Sequence, residues 1–116
     1  MTEPGRLWHV TVTVGGDELE PSVVNSALRR LHDQRPFLHS LRYAAGCAEI
    51  QYWEEAVSLL DASSLALRVW NEHRDTESLP HWEVVGLEVV ERHIFRHRFP
   101  QHGPVTDLHD VTPLPF

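Results

Sequence analysis

Lysine is absent: every one of the ten basic residues in this 116-residue chain is arginine. Schiff-base enzymes and P-loop phosphate binders need a lysine, so both classes are excluded. Cysteine occurs once, as Cys47, which rules out an intramolecular disulfide and a cysteine-based zinc cluster. That usage fits a reducing compartment. The opening Met1-Thr2-Glu3-Pro4-Gly5 has neither the basic nor the apolar block of a secretory signal, so a cytoplasmic location is expected. No apolar run approaches the ~20 residues of a membrane span. The six glycines are scattered, and neither GxGxxG nor GxSxG occurs. Basic residues are too few to balance the acids: the net charge is −7 with neutral histidines, a poor basis for gripping a phosphate backbone.

What is present is enough for one ordinary domain. Hydrophobic residues make up 41% and charged residues 23%, as in soluble globular proteins. Nine histidines make the charge sensitive to pH, and protonating all of them would make the chain net positive. Residues 7–14 alternate, with Trp8, Val10, Val12 and Val14 on one side and Leu7, His9, Thr11 and Thr13 on the other. That is a half-buried strand. Gly15-Gly16-Asp17 is a turn, and Pro21 suits a first helical position. Val23, Val24, Ala27, Leu28 and Leu31 form a helical stripe that Pro36 stops near Gln34.

Residues 37–43 and 47–53 alternate again around a tip at Ala45-Gly46. A tight hairpin pairs Tyr43 with Ala48, Leu41 with Ile50 and, on the other side, Arg42 with Glu49. Phe37, His39, Leu41 and Tyr43 are expected to share one face. Glu54 and Glu55 suit the start of a second helix reaching about Glu72 or His73, with Ala56, Leu59, Leu60, Ser63, Leu67 and Trp70 at helical spacing. A polar loop follows over 74–80. Residues 84–99 read as a long last strand, with Val85, Leu87 and Val89 as one apolar set. Residues 1–99 then form one domain, and residues 100–116, with four prolines, an extended tail.

The order strand, helix, strand, strand, helix, strand resembles the split βαβ, or ferredoxin-like, arrangement. The expected fold class is α+β, with one four-stranded antiparallel sheet and two helices on one face. That resemblance is to a fold and assigns no activity. If the helices cover the face of Val10, Val12, Ile50 and Tyr52, the open face carries His9, Thr11, Thr13, Arg42, Glu49, Gln51 and Trp53. Of these, His9, Arg42, Glu49, Gln51 and Trp53 are the candidate ligand-binding or interface residues.

Three functional readings follow. The first is a non-enzymatic domain acting as a homo-oligomer, most simply a dimer, or through a protein partner, because no specific catalytic motif is present and an open sheet face and an apolar tail remain to be covered. The second is a small-molecule site on the open face, as in a ligand sensor or a cofactor-independent oxygenase or isomerase, with His9 as acid or base. The third is metal binding by His93 and His97, four apart and on one face of a strand or a helix, with His9 or His102 as a further ligand. No cofactor is expected. The basic run of residues 92–98 has one interleaved aromatic, Phe95. No RNP-like pattern accompanies it, so neither nucleic acid nor membrane is an expected partner.

Overall fold

The computed structural model describes residues 5–76, 81–99 and 112–116. Strand β1 is Arg6–Gly15 and helix α1 is Pro21–Gln34. The hairpin β2 (Leu38–Ala44) and β3 (Cys47–Ala56) follows, then helix α2 (Leu59–Thr76) and strand β4 (Glu83–Glu91). Helix α3 (Arg92–Arg98) and a two-residue strand β5 (Leu114–Pro115) complete the order. The sheet runs β4-β1-β3-β2-β5. β1 is antiparallel to β3 and β4, β2 is antiparallel to β3, and β5 is parallel to β2.

The expected ferredoxin-like arrangement, a four-stranded antiparallel sheet with two helices, is therefore overturned: among the described residues the sheet has five strands and is mixed, and there are three helices. The fifth strand comes from the segment expected to be only an extended tail. Leu114 pairs with Arg42 and Pro115 with Tyr43, and the Phe116 N–H donates to the Tyr43 carbonyl at 3.0 Å. An edge position tolerates Pro115, which has no N–H to give. Residues 100–111 of that expected tail, with His102, lie outside the described residues, as do 77–80 of the expected loop.

The third helix replaces the second half of the expected last strand. β4 pairs with β1 as far as Trp8 opposite Glu91, and β1 itself begins at Arg6. A strand continued to Phe99 would run past β1, its only neighbour among the described residues, and lose its pairing there. A helix satisfies them locally. The second helix also starts later than expected. Arg6, Leu7 and Trp8 pair with Ala56, Glu55 and Glu54, so both glutamates belong to β3.

α1 and α2 cover one face. There Val10, Val12 and Val14 lie opposite Tyr52, Ile50 and Ala48, and all six side chains are buried. α1 adds Val24, Ala27, Leu28 and Leu31, while Val23 faces out. Each such aliphatic side chain contributes roughly 1.5–3 kcal/mol on burial. α2 buries Ala62, Ala66 and Trp70 and leaves Leu59, Leu60 and Leu67 exposed, which reverses much of the expected inward stripe. Buried indoles keep their hydrogen bonds: Trp70 Nε1 donates to the Trp82 carbonyl (2.8 Å), Trp82 Nε1 to that of Asp17 (2.9 Å) and Trp8 Nε1 to that of Ala56 (3.0 Å). The buried Tyr52 hydroxyl has no partner among the described residues. Burial, and then the Glu54 charge, hold its pKa well above the usual phenol range.

Candidate functional site

α3 lies on the opposite face from α1 and α2 and covers only one end of it. Its single buried side chain is Phe95. Phe95 stacks on His9, with ring centroids 3.9 Å apart and planes 23° from parallel. Trp53 meets both rings edge-on at 5.0 Å, and Phe99 lies 5.0 Å from Phe95. Phe99 caps the C-terminal end of α3, its N–H donating to the Phe95 carbonyl at 2.9 Å.

The uncovered remainder of this face is a cleft of about 430 Å³. Its lining includes His9, Thr11 and Thr13 of β1, Glu49 and Gln51 of β3, Leu87 and Glu88 of β4, Phe95 of α3 and Phe99, the residue that caps α3. Alternation along β1 and β3 supplies that polar side. Gln51 Nε2 donates to Glu49 Oε1 at 2.6 Å, which fixes the orientation of both. Glu88 lies 3.9 Å from Arg98 in an exposed pair. The cleft therefore offers carboxylate, amide and hydroxyl oxygens on one side and aromatic rings on another.

Of the residues singled out from the sequence, His9, Glu49 and Gln51 line this cleft. Trp53 packs at its end against His9 and Phe95. Arg42 pairs opposite Glu49 in the hairpin but is exposed and does not line the cleft. His93 and His97 are exposed on α3, with ring centroids 6.3 Å apart. His93 borders a different cleft, with Arg6, Glu55, Glu91 and Arg92. Among the described residues no group of three or more His, Cys, Asp or Glu side chains converges as a metal cage. Cys47 is half-buried at the start of β3.

One residue of this face was not legible. His39 was expected beside Phe37, Leu41 and Tyr43. Instead Leu38 pairs with Tyr52 and Ser40 with Gln51, so His39 is the extra residue of a bulge. The bulge keeps Leu38 and Leu41 buried and turns His39 toward His9. Their Nε2 atoms are 3.1 Å apart, so one ring donates and the other accepts. His9 is only 2% exposed and is the one buried polar or charged side chain among the described residues. Phe37 lies before β2, is exposed, and meets Tyr52 edge-on at 5.3 Å.

Among the described residues no helix is long and apolar enough to cross a membrane. A family model described as a domain of unknown function (DUF8830) matches residues 7–105. No curated protein matches the sequence.

Proposed function

The chain belongs to the DUF8830 family, and from that premise we propose that it is a cytoplasmic binding domain for a small molecule held in the open-face cleft. The observation that carries this reading is the cleft's two-sided chemistry. Oxygens of Thr11, Thr13, Glu49 and Gln51 stand on the sheet, and opposite them are the rings of Phe95 on α3 and Phe99 just past its end. Its size falls in the range of small-molecule sites. The chemistry suits a ligand with hydrogen-bond donors or a cationic nitrogen at one end and a flat apolar body at the other. Binding is favoured over turnover because His9 is stacked beneath Phe95 with its Nε2 engaged by His39, and so presents no exposed acid or base to the cleft.

The test is a fragment screen by two-dimensional amide NMR, repeated with Glu49→Gln and Thr11→Val. Amine-bearing aromatic fragments are expected to shift amides of β1, β3 and α3, and both variants are expected to weaken that binding several-fold. A screen at millimolar concentration that moves none of those amides would overturn the reading.

A second reading, self-association as a homodimer, draws support from α2. That helix turns small alanines inward and carries Leu60 and Leu67, seven residues apart, on one exposed flank, with Leu60 74% accessible. Light scattering behind size exclusion is expected to give a dimer mass at tens of micromolar and a monomer for the Leu60→Asp, Leu67→Asp double variant. A wild-type monomer at that concentration would remove it.

A further inference from the structure

We infer that His9 and His39 form a two-imidazole site for a divalent transition ion, zinc or copper, at the closed end of the cleft. The first support is distance. Two imidazoles bound to one tetrahedral ion at the usual ~2.0–2.1 Å place their nitrogens about 3.3 Å apart. The His9 and His39 Nε2 atoms stand at 3.1 Å, converging through the ring nitrogens that can ligate such ions. A shift of a few tenths of an ångström in either ring admits the ion.

The second support is how His39 gets there. β1 and β2 are not neighbours, since β3 runs between them. Regular alternation at this point of β2 would send His39 to the helix-covered side with its neighbours disturbed. The inserted residue brings it across while Leu38 and Leu41 keep their buried places. Bulges that re-aim a side chain are concentrated beside functional sites. The third support is the surroundings. His9 is held from above by Phe95 at 3.9 Å and from the side by Trp53 at 5.0 Å, so its ring is orientated by packing before any ion arrives. Imidazole ligands suit zinc, copper and nickel rather than magnesium or calcium.

No third described side chain completes a cage. Among the described residues the pair supplies two ligands. This inference does not depend on the small-molecule reading, because the ion is tested alone.

The experiment is calorimetric and native-mass titration of the untagged full chain with Zn²⁺ and with Cu²⁺. It is run beside His39→Gln and the double variant His93→Gln, His97→Gln. The expected result is one ion per chain, binding at least tenfold weaker in His39→Gln, and unchanged binding in the double variant. Long-range ¹⁵N spectra should show both Nε2 resonances, those of His9 and His39, moving on addition of Zn²⁺. Absence of stoichiometric binding, wild-type affinity in His39→Gln, or loss of binding in the α3 double variant would each overturn the site. Because His39 is only half-buried, its variant keeps the core intact, and circular dichroism verifies that before the titration.

Discussion

Phe95 lies flat on His9, and this stacked pair helps to join α3 to the face of the sheet that α1 and α2 leave open. Truncation to Phe95→Ala removes the only buried side chain of α3. A loss of about 3 kcal/mol in urea unfolding is expected, within the usual range for a buried aromatic. Ile94→Ala, one residue earlier and exposed, is expected to change stability by less than ~0.5 kcal/mol. Equal effects from the two would contradict this packing.

Tyr52→Phe removes a buried hydroxyl that has no partner among the described residues. A buried unsatisfied polar atom costs about 1–3 kcal/mol, so the variant is expected to equal or exceed the wild type in unfolding free energy. Ultraviolet titration gives the companion result. Because burial and the Glu54 charge raise the Tyr52 pKa, this phenol is expected to stay protonated in the native protein after an exposed tyrosine has ionised. A destabilised Tyr52→Phe would mean the hydroxyl is bonded after all.

Glu54 gives a pH dependence of defined sign. Burial raises its carboxyl pKa, and a hydrogen bond from the Glu55 backbone partly offsets the rise. The folded state therefore holds this proton more tightly than the unfolded chain does. Stability linked to Glu54 is greatest below the unfolded pKa and falls as pH rises through the folded one. Glu54→Gln is expected to raise the urea midpoint at pH 7, with the gain shrinking toward pH 4. A gain that grows on acidification would reverse the assignment.

Gly16 abuts an indole. A Cβ built there would stand 2.5 Å from Trp82 Cδ1. Trp82 is held by its own N–H to the Asp17 carbonyl and accepts from Trp70, so it has little room to retreat. Gly16→Ala is expected to cost about 1–3 kcal/mol, the ordinary range for overpacking, and to alter tryptophan fluorescence. Unfolding and emission both matching the wild type would show that the indole can move.

Much of the sheet was readable because alternation and pairing constrain each other. The pairs Tyr43–Ala48, Leu41–Ile50 and Arg42–Glu49 follow from keeping apolar side chains on one face, and they are the observed pairs. The same logic put His9, Glu49 and Gln51 together. It failed where one residue is added. Inserting His39 switches sides without changing composition, and no spacing signal marks it. It failed again at residues 92–98, since a spacing of four shares a face on a strand and on a helix alike. The deciding fact there is the length of β1, which among the described residues leaves little for a longer β4 to pair with. β5 was hidden because two residues of edge pairing carry no periodicity.

The two faces of the sheet are held by unequal means. α1 and α2 pack a continuous core against β1 and β3, whose amides are expected to exchange only on global unfolding, whereas α3 is seven residues with a single buried side chain, Phe95. A unit of that kind opens on its own, at a free energy well below that of the whole domain. How often the buried His9 imidazole meets solvent protons is then expected to follow the opening equilibrium of α3. Deuterium uptake in that helix becomes a direct reading of access to His9.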